Sequence, residues 1–257
     1  MVLIIMRLYR FILVIFCCCH GAFTSAQIVN IERARMQSDT TGWMGSTGAS
    51  FSLSKNTKQL FSTEFDVHLQ YKSEKSLYLI LANYGFLKSS GSKLIDNTFL
   101  HLRYNYKLNS FLRWEVFTQL QQNTITGIQS RFLIGSGPRF KVFSSKKFRL
   151  YMASLIMYER EKETIATNLL HNDFRSSSYV SFTLSPSKEL ELISTTFFQP
   201  LLNNWKDHRI LNQVSLRVKA GKKIAMKVNW NYLTDSYPVK GVPSVNYTLS
   251  SVFDYSF

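Results

Sequence analysis

Residues 245–257 read VNYTLSSVFDYSF (Val245 to Phe257) and alternate apolar or aromatic side chains with mostly polar ones. Residues two apart in a β-strand share a face, so one face of this segment is apolar and ends in aromatic side chains. An apolar face about ten residues long with such an end has the length and the aromatic girdle of a tilted membrane-spanning strand. A soluble edge strand is the alternative, but exposed sheet edges are usually short or charged. The segment therefore predicts the last strand of a transmembrane β-barrel.

The opposite end of the sequence predicts export. Two arginines precede the apolar run Phe11–Cys19, and Thr24-Ser25-Ala26 supplies the small residues that a signal peptidase reads, so residues 1–26 are predicted to be a cleaved secretory signal. A retained transmembrane helix would need about 20 apolar residues, more than this run contains. All three cysteines lie in the run. The exported chain would therefore contain no thiol or disulfide, which suits an oxidising periplasm.

Composition narrows the possible partners. The formal net charge is +15, but lysines and arginines are spread along the chain and no zinc-finger, RNA-recognition or homeodomain signature occurs, which argues against nucleic acid. The phosphates and carboxylates of lipopolysaccharide, together with outer-membrane lipids, are the partners that exported cations predict. A mean hydropathy of -0.08 is too low for a helical membrane protein and fits a barrel. We expect a short periplasmic segment at 27–41 and the barrel at 42–257.

Period-two alternation recurs along the chain and no convincing amphipathic helix interrupts it. It predicts an all-β fold, a transmembrane antiparallel β-barrel of about 12 strands, with 10 to 14 possible. In the fourth strand, Leu100, Leu102 and Tyr104 share one face while His101 and Arg103 share the other. The twelve candidate strands are 42–54, 59–71, 76–86, 97–107, 111–122, 128–143, 148–159, 175–185, 189–199, 209–219, 223–233 and 244–257.

The connections between these strands alternate in length. If the first strand starts in the periplasm, every second connection is a short turn, as periplasmic turns of such barrels are. The opposite, extracellular set contains four longer connections, which are predicted to be loops. These loops are Leu87–Asp96, Arg160–Phe174, Pro200–His208 and Thr234–Pro243.

Several internal segments carry a family resemblance. They are Trp114–Asn123 (WEVFTQLQQN), Arg131–Arg139 (RFLIGSGPR), Met157–Glu161 (MYERE), Arg175–Tyr179 (RSSSY), Phe197–Pro200 (FFQP) and Asp207–Arg209 (DHR). These segments resemble the uncharacterised family of salt-induced outer membrane proteins, and the resemblance spans roughly Thr40 to Phe257. It implies a barrel in the outer membrane of a Gram-negative bacterium and a link to salt or osmotic stress, without an established substrate.

The inward faces of the predicted strands carry many charged and polar side chains. One interpretation is that the charges pair and fill a narrow lumen, because a charge removed from water stays ionised at low cost only when it is paired. The other is a small anion-preferring pore lined by the excess arginines. The predicted lumen network consists of Arg103, Arg113, Glu115, Arg131, Arg139, Glu159, Arg175, Glu191 and Arg209. Other inward residues include Glu64, Asp66, His68, His101, Gln129, Arg149, Gln199, Gln213 and Arg217.

Catalysis is a distant alternative. A lipid-modifying enzyme needs a nucleophile with a base in hydrogen-bond reach, and the His-x-Ser-Asn pattern of the twelve-stranded outer-membrane phospholipase is missing. Loop residues His171, Asp173, Asp207 and His208 lack the tight spacing of metal ligands. We therefore predict no enzyme, no cofactor and no metal site.

The terminal aromatic residues Tyr255 and Phe257 are predicted to be an assembly signal. Resembling proteins present such a terminus to the barrel-assembly machinery, which pairs with the last strand while its edge is open. The sequence predicts no particular oligomeric state.

Overall fold

A computed structural model describes residues 41–55, 59–89, 92–163, 169–221 and 224–255 of the chain. The predicted signal peptide, the segment preceding residue 41 and Phe257 lie outside these residues. The described residues contain twelve strands, as predicted. They are β1 (Gly42–Lys55), β2 (Gln59–Lys72), β3 (Ser76–Ser89), β4 (Ser92–Lys107), β5 (Leu112–Asn123), β6 (Ile128–Ser144), β7 (Phe148–Glu163), β8 (Leu170–Leu184), β9 (Leu190–Leu201), β10 (Asn204–Lys219), β11 (Ile224–Asp235) and β12 (Val245–Tyr255).

The strands form one antiparallel sheet in which each strand pairs with the next in sequence, from β1 to β12. The sheet curls on itself, because side chains of distant strands meet across its inner face. Tyr179 of β8 donates a hydrogen bond to Glu115 of β5, and Arg209 of β10 contacts Glu159 of β7. This arrangement confirms the predicted barrel. No helix in the described part of the chain is long and apolar enough to cross a membrane.

The two faces of the wall follow the predicted alternation. In β4, His101 and Arg103 are buried in the lumen, whereas Leu102 and Tyr106 are exposed on the outer surface. A row of aromatic rings crosses the outer surface of β1 to β4. Successive centroids of Trp43, Tyr71, Tyr78 and Tyr104 are 4.9, 6.2 and 4.9 Å apart. Such a row is typical of the aromatic girdle at a membrane interface.

The connections differ at the two ends of the barrel. One end, here called the turn end, carries the short connections 73–75, 108–111, 145–147, 185–189 and 220–223. The other, called the loop end, carries the connection 236–244 between β11 and β12, where a loop was predicted. The prediction of three further long loops at this end is wrong. The strand pairs β3–β4, β7–β8 and β9–β10 extend as hairpins into the residues that were predicted to form these loops. Alternation marks only the lipid-facing part of a strand, whereas backbone pairing continues where both faces are polar.

A β-bulge corrects one predicted orientation. The β6–β7 register shifts between Ile128 and Ser130, so that Ile128 is buried and Gln129 is exposed. The extra residue of a bulge moves its neighbours to the opposite face. Gln129 was therefore wrongly predicted to face the lumen, while Arg131 beyond the bulge does face it.

Apolar side chains pack together on the inner wall at mid-height. Two clusters meet the inner wall there, one on β3 and β4 and the other on β5 to β9. Gly135 makes room for the larger cluster, because the ring of Phe117 on the neighbouring strand occupies the space that a Cβ would need. The clusters contain Leu79, Leu81 and Phe99, and Phe117, Leu133, Ala153, Leu155, Met157, Tyr179 and Phe197.

Candidate lumen site

Glu159 is the centre of an ion-pair network towards the loop end. Its carboxylate contacts Arg131 Nε at 3.1 Å, Arg175 Nε at 2.7 Å and Arg209 Nη1 at 2.5 Å. These arginines stand on β6, β8 and β10, so one buried carboxylate, 1% exposed, joins four strands. Since a carboxylate buried in this way needs compensation, the network stabilises the charge and ties the walls together.

Three further carboxylates complete this network. Glu161 accepts from Arg131 Nη2 at 2.5 Å and from Arg209 Nη2 at 3.2 Å. Asp207 pairs with Arg175, and Asp235 pairs with Arg209, each at 2.8 Å. Each arginine thus has at least one carboxylate besides Glu159. The network contains three arginines and four carboxylates.

A second ion-pair group lies closer to the turn end, around Glu115. Arg103 Nη1 lies 2.9 Å from Glu115 Oε2, Arg139 Nε lies 3.6 Å from Oε1, and the Tyr179 hydroxyl donates to Oε2 at 2.8 Å. Glu115 is fully buried, and both arginine side chains are 3% exposed. Two guanidinium groups therefore share this carboxylate.

His101 extends the Glu115 group towards the apolar clusters. Its Nε2 lies 3.2 Å from Arg103 Nε, and its Nδ1 lies 3.0 Å from Gln119 Oε1. Because a guanidinium can only donate, Nε2 must accept and Nδ1 must carry the proton that Gln119 accepts. Burial and a complete set of partners assign the imidazole a structural role in the lumen.

Arg113 and Glu191 were predicted to belong to the lumen network but lie outside both groups. Arg113 faces the lumen at the turn end, with its guanidinium 5.7 Å from the ring centroid of Tyr151. Glu191 stands opposite Arg217 in the β9–β10 ladder, without an ion pair to a described residue. The structure therefore brings seven of the nine predicted network residues into two groups.

Sequence reasoning missed three carboxylates of the Glu159 network: Glu161, Asp207 and Asp235. Each lies outside the predicted range of its strand. The predicted ranges were 148–159, 209–219 and 223–233, whereas β7, β10 and β11 of the structure include residues 161, 207 and 235 respectively. The two-residue spacing of Glu159 and Glu161 could have indicated that β7 continues beyond residue 159. The contact between Tyr179 and Glu115 has no such signal, because it depends on how the sheet curls.

A cavity of about 300 Å³ extends from the loop end past the Glu159 network to His101 and Arg103. The rings of Phe99 and Phe117 and the side chains of Leu133 and Met157 contribute its apolar lining. The connection 236–244 covers the opposite side. A pocket of this volume is at the lower end of the range for small-molecule sites.

The connection 236–244 reaches the far wall of the barrel. Val239 is 9% exposed and packs against Gly127, in the turn between β5 and β6. A Cβ on Gly127 would lie 2.8 Å from Val239 Cγ1, and Gly127 has a φ of +71°, which favours glycine. The strand pairs joined by these two connections are six strands apart, so the connection bridges the mouth at the loop end.

The charge of the cavity wall is opposite to that of the chain. Its lining includes four arginines and six carboxylates, a formal charge of −2 with neutral histidines, whereas the whole chain carries +15. The arginines are Arg103, Arg131, Arg175 and Arg209, and the carboxylates are Glu159, Glu161, Glu163, Asp173, Asp207 and Asp235.

Three of the four histidines and aspartates that were weighed as metal ligands have other partners. His171 pairs with Glu163 at 2.9 Å, Asp207 pairs with Arg175, and His208 Nδ1 lies 3.0 Å from the carbonyl oxygen of Lys206. Within the described ranges, no group of three or more potential metal ligands occurs.

The fold and the lumen define a transmembrane β-barrel of the outer-membrane type. A family model described as "Protein of unknown function, DUF481" matches residues 47–257, and the chain belongs to this family. No curated protein matches the sequence.

Solved structures similar to the chain are outer-membrane barrels. The translocator domain of the autotransporter NalP from Neisseria meningitidis has 12% identity and a TM-score of 0.50, over 88% of this chain and 91% of that one. The NanC porin has 11% identity and a TM-score of 0.49, over 82% and 98%. The CymD monoaromatic hydrocarbon channel has 11% identity and a TM-score of 0.39, over 87% and 81%. At these identities, the likeness concerns the fold alone.

Proposed function

We propose that the protein is a closed, non-enzymatic barrel of the outer membrane, with a role in the envelope under salt or osmotic stress. The observation that carries the proposal is the Glu159 network. It connects β6, β7, β8 and β10 through buried ion pairs. The apolar clusters pack on the inner wall beside it, and the connection 236–244 bridges the mouth.

Closure follows from the energetics of these contacts. An ion crossing the lumen needs a continuous water-filled path, and at mid-height Leu79 and Leu155 are at most 2% exposed. Opening a path would separate buried ion pairs, which is strongly destabilising when one partner is left uncompensated. The barrel therefore stays closed while the network is intact.

The proposal includes the route and the partners of the protein. Residues 1–26 would be cleaved during export, and the terminal aromatics Tyr255 and Phe257 would be read by the barrel-assembly machinery. The membrane lipids and the lipopolysaccharide phosphates are the partners that suit a basic exported barrel. The salt-stress role rests on the family resemblance of the sequence.

A small anion-preferring pore is the second candidate, and the turn end favours it. Arg113, Lys141 and Arg149 face the lumen there and form no ion pair with a described carboxylate. Unpaired cations at a constriction attract anions. The carboxylate excess of the cavity at the loop end opposes anion passage through the same lumen.

Liposome swelling tests closure. The purified barrel is reconstituted into liposomes, which are then diluted into isosmotic arabinose, glucose or glutamate. We expect no swelling with the wild type, and swelling with a variant that lacks residues 237–243 and carries Glu159→Ala and Phe117→Ala. Rapid swelling of wild-type liposomes in any of the solutes would overturn the proposal, and swelling in glutamate alone would favour the anion pore.

A further inference from the structure

We propose that the cavity at the loop end binds a small organic cation that has an apolar body. The ligand class is an alkyl- or arylammonium ion. This inference does not depend on whether the lumen conducts, because it concerns binding within the cavity and not passage through the barrel.

The net charge of the cavity lining determines whether the ligand is a cation or an anion. Six carboxylates and four arginines line the cavity, and Arg103 is already paired with Glu115, which lies outside the lining. A cleft with low-dielectric walls and a net charge of one sign concentrates ions of the opposite sign. A cation therefore gains energy on entering, whereas an anion loses energy.

Two of the carboxylates are not engaged by an arginine. Glu163 pairs only with His171, among described residues, and its side chain is 13% exposed. Asp173 is half-buried and forms no hydrogen bond or ion pair within the described part of the chain. A half-buried carboxylate without a partner is costly, so Asp173 is suited to accept a hydrogen bond from an ammonium ion. Glu163 can offer its second oxygen, because His171 contacts Oε1.

The body of the ligand follows from the deeper lining. Phe99, Leu133, Met157 and Leu233 present apolar surface to the same cavity. A strongly hydrated metal ion would leave this surface unused, whereas an alkyl or aryl group would bury it. An ammonium group near an aromatic ring gains a further cation–π attraction.

The cavity can be reached from the loop end. His171 at the rim is 45% exposed, and the side chains of Asp207 and Asp235 are 18% and 15% exposed. The other two carboxylates of the Glu159 network are nearly inaccessible, since the side chain of Glu159 is 1% exposed and that of Glu161 is 4% exposed. A ligand that enters here meets the rim carboxylates first and the apolar lining next.

Calorimetric titration of the full barrel in detergent tests this inference, with benzylammonium as the probe and benzyl alcohol and benzoate as its neutral and anionic analogues. We expect benzylammonium to bind and both analogues to bind at least tenfold more weakly. Asp173→Asn and Glu163→Gln should each weaken benzylammonium binding about tenfold, since hydrogen bonds to charged groups contribute at that level. Glu189→Gln, an exposed carboxylate at the turn end, is the matched control and should leave binding unchanged.

The results of this titration distinguish binding at the cavity from partition of the probe into detergent. Asp173 has no hydrogen bond or ion pair to lose among the described residues, so Asp173→Asn should keep the heat-modifiable gel shift of the folded barrel. The inference would be overturned if all three probes bound equally or if benzoate bound more tightly than benzylammonium. It would also be overturned if Asp173→Asn and Glu163→Gln both left the affinity for benzylammonium unchanged. Absence of benzylammonium binding to the folded wild type would overturn it as well. None of these results alters the swelling assay, which tests closure separately.

Discussion

Replacing Glu115 by alanine should destabilise the barrel more than replacing Glu159, although Glu159 contacts more arginines. Glu115→Ala removes the carboxylate partner of Arg103 and of Arg139, whose side chains are both 3% exposed. Removing one partner of a buried pair costs about 3 to 5 kcal/mol. Loss of the acceptor for the Tyr179 hydroxyl adds about 1 kcal/mol, so the expected cost is about 5 kcal/mol.

Glu159→Ala should cost only about 2 kcal/mol, the scale of one charged hydrogen bond. Arg131 keeps Glu161, Arg175 keeps Asp207, and Arg209 keeps both Glu161 and Asp235. The reserve of carboxylates therefore protects this network against the loss of its central residue.

Urea unfolding of the refolded protein in detergent, followed by tryptophan fluorescence and gel migration, measures the difference. With a slope of about 2 kcal/mol per M, the midpoint should fall by about 2.5 M for Glu115→Ala and by about 1 M for Glu159→Ala. Glu115→Gln retains the side-chain volume and an acceptor for Tyr179, so its midpoint should lie between that of the wild type and that of Glu115→Ala. A wild-type midpoint for Glu115→Ala, or a larger loss for Glu159→Ala, would refute this reasoning.

Three further predictions concern the wall and its assembly. Gly137→Ala should destabilise the barrel by about 1 to 3 kcal/mol in the same urea assay, because the added Cβ would overlap the backbone of β7. The control Gly48→Ala should be nearly neutral, since the atom nearest to its added Cβ would be 3.8 Å away. Leu102→Arg places a charge on the lipid-facing surface and should cost about 2 to 4 kcal/mol, whereas Gln121→Arg faces the carboxylate-rich cavity and should cost less; equal losses would contradict the assigned facing. Deletion of Phe257 should leave the protein secreted but unassembled in cells while it still refolds from urea in detergent, and a normal compact band in outer-membrane fractions would exclude an assembly role.

Much of the fold could be predicted because one physical constraint repeats along the chain. A wall between lipid and a polar lumen requires alternation at every strand, so His101 and Arg103 could be assigned to the lumen from their neighbours Leu100 and Leu102. The same alternation found the two central carboxylates, Glu115 and Glu159. The apolar–polar contrast ends where both faces of a hairpin are polar, as at Arg160 and Glu161, so that only the two-residue spacing from Glu159 indicated the facing of Glu161.

Two features of the site have no counterpart in the alternation. The bulge that turns Gln129 outward depends on the local register of β6 and β7, and residue patterns do not determine it. The packing of Val239 against Gly127 joins connections more than a hundred residues apart. It depends on the curl of the sheet, as does the cavity beneath it.

Single-channel recording in a planar bilayer tests most directly whether cross-barrel ion pairs and apolar packing close the lumen. We predict that the wild-type barrel inserts without discrete conductance steps in 1 M KCl at moderate voltage. The variant without residues 237–243 that also carries Glu159→Ala and Phe117→Ala should show steps, which establishes that insertion is detected. Stable, reproducible conductance steps from the wild-type protein would contradict the account.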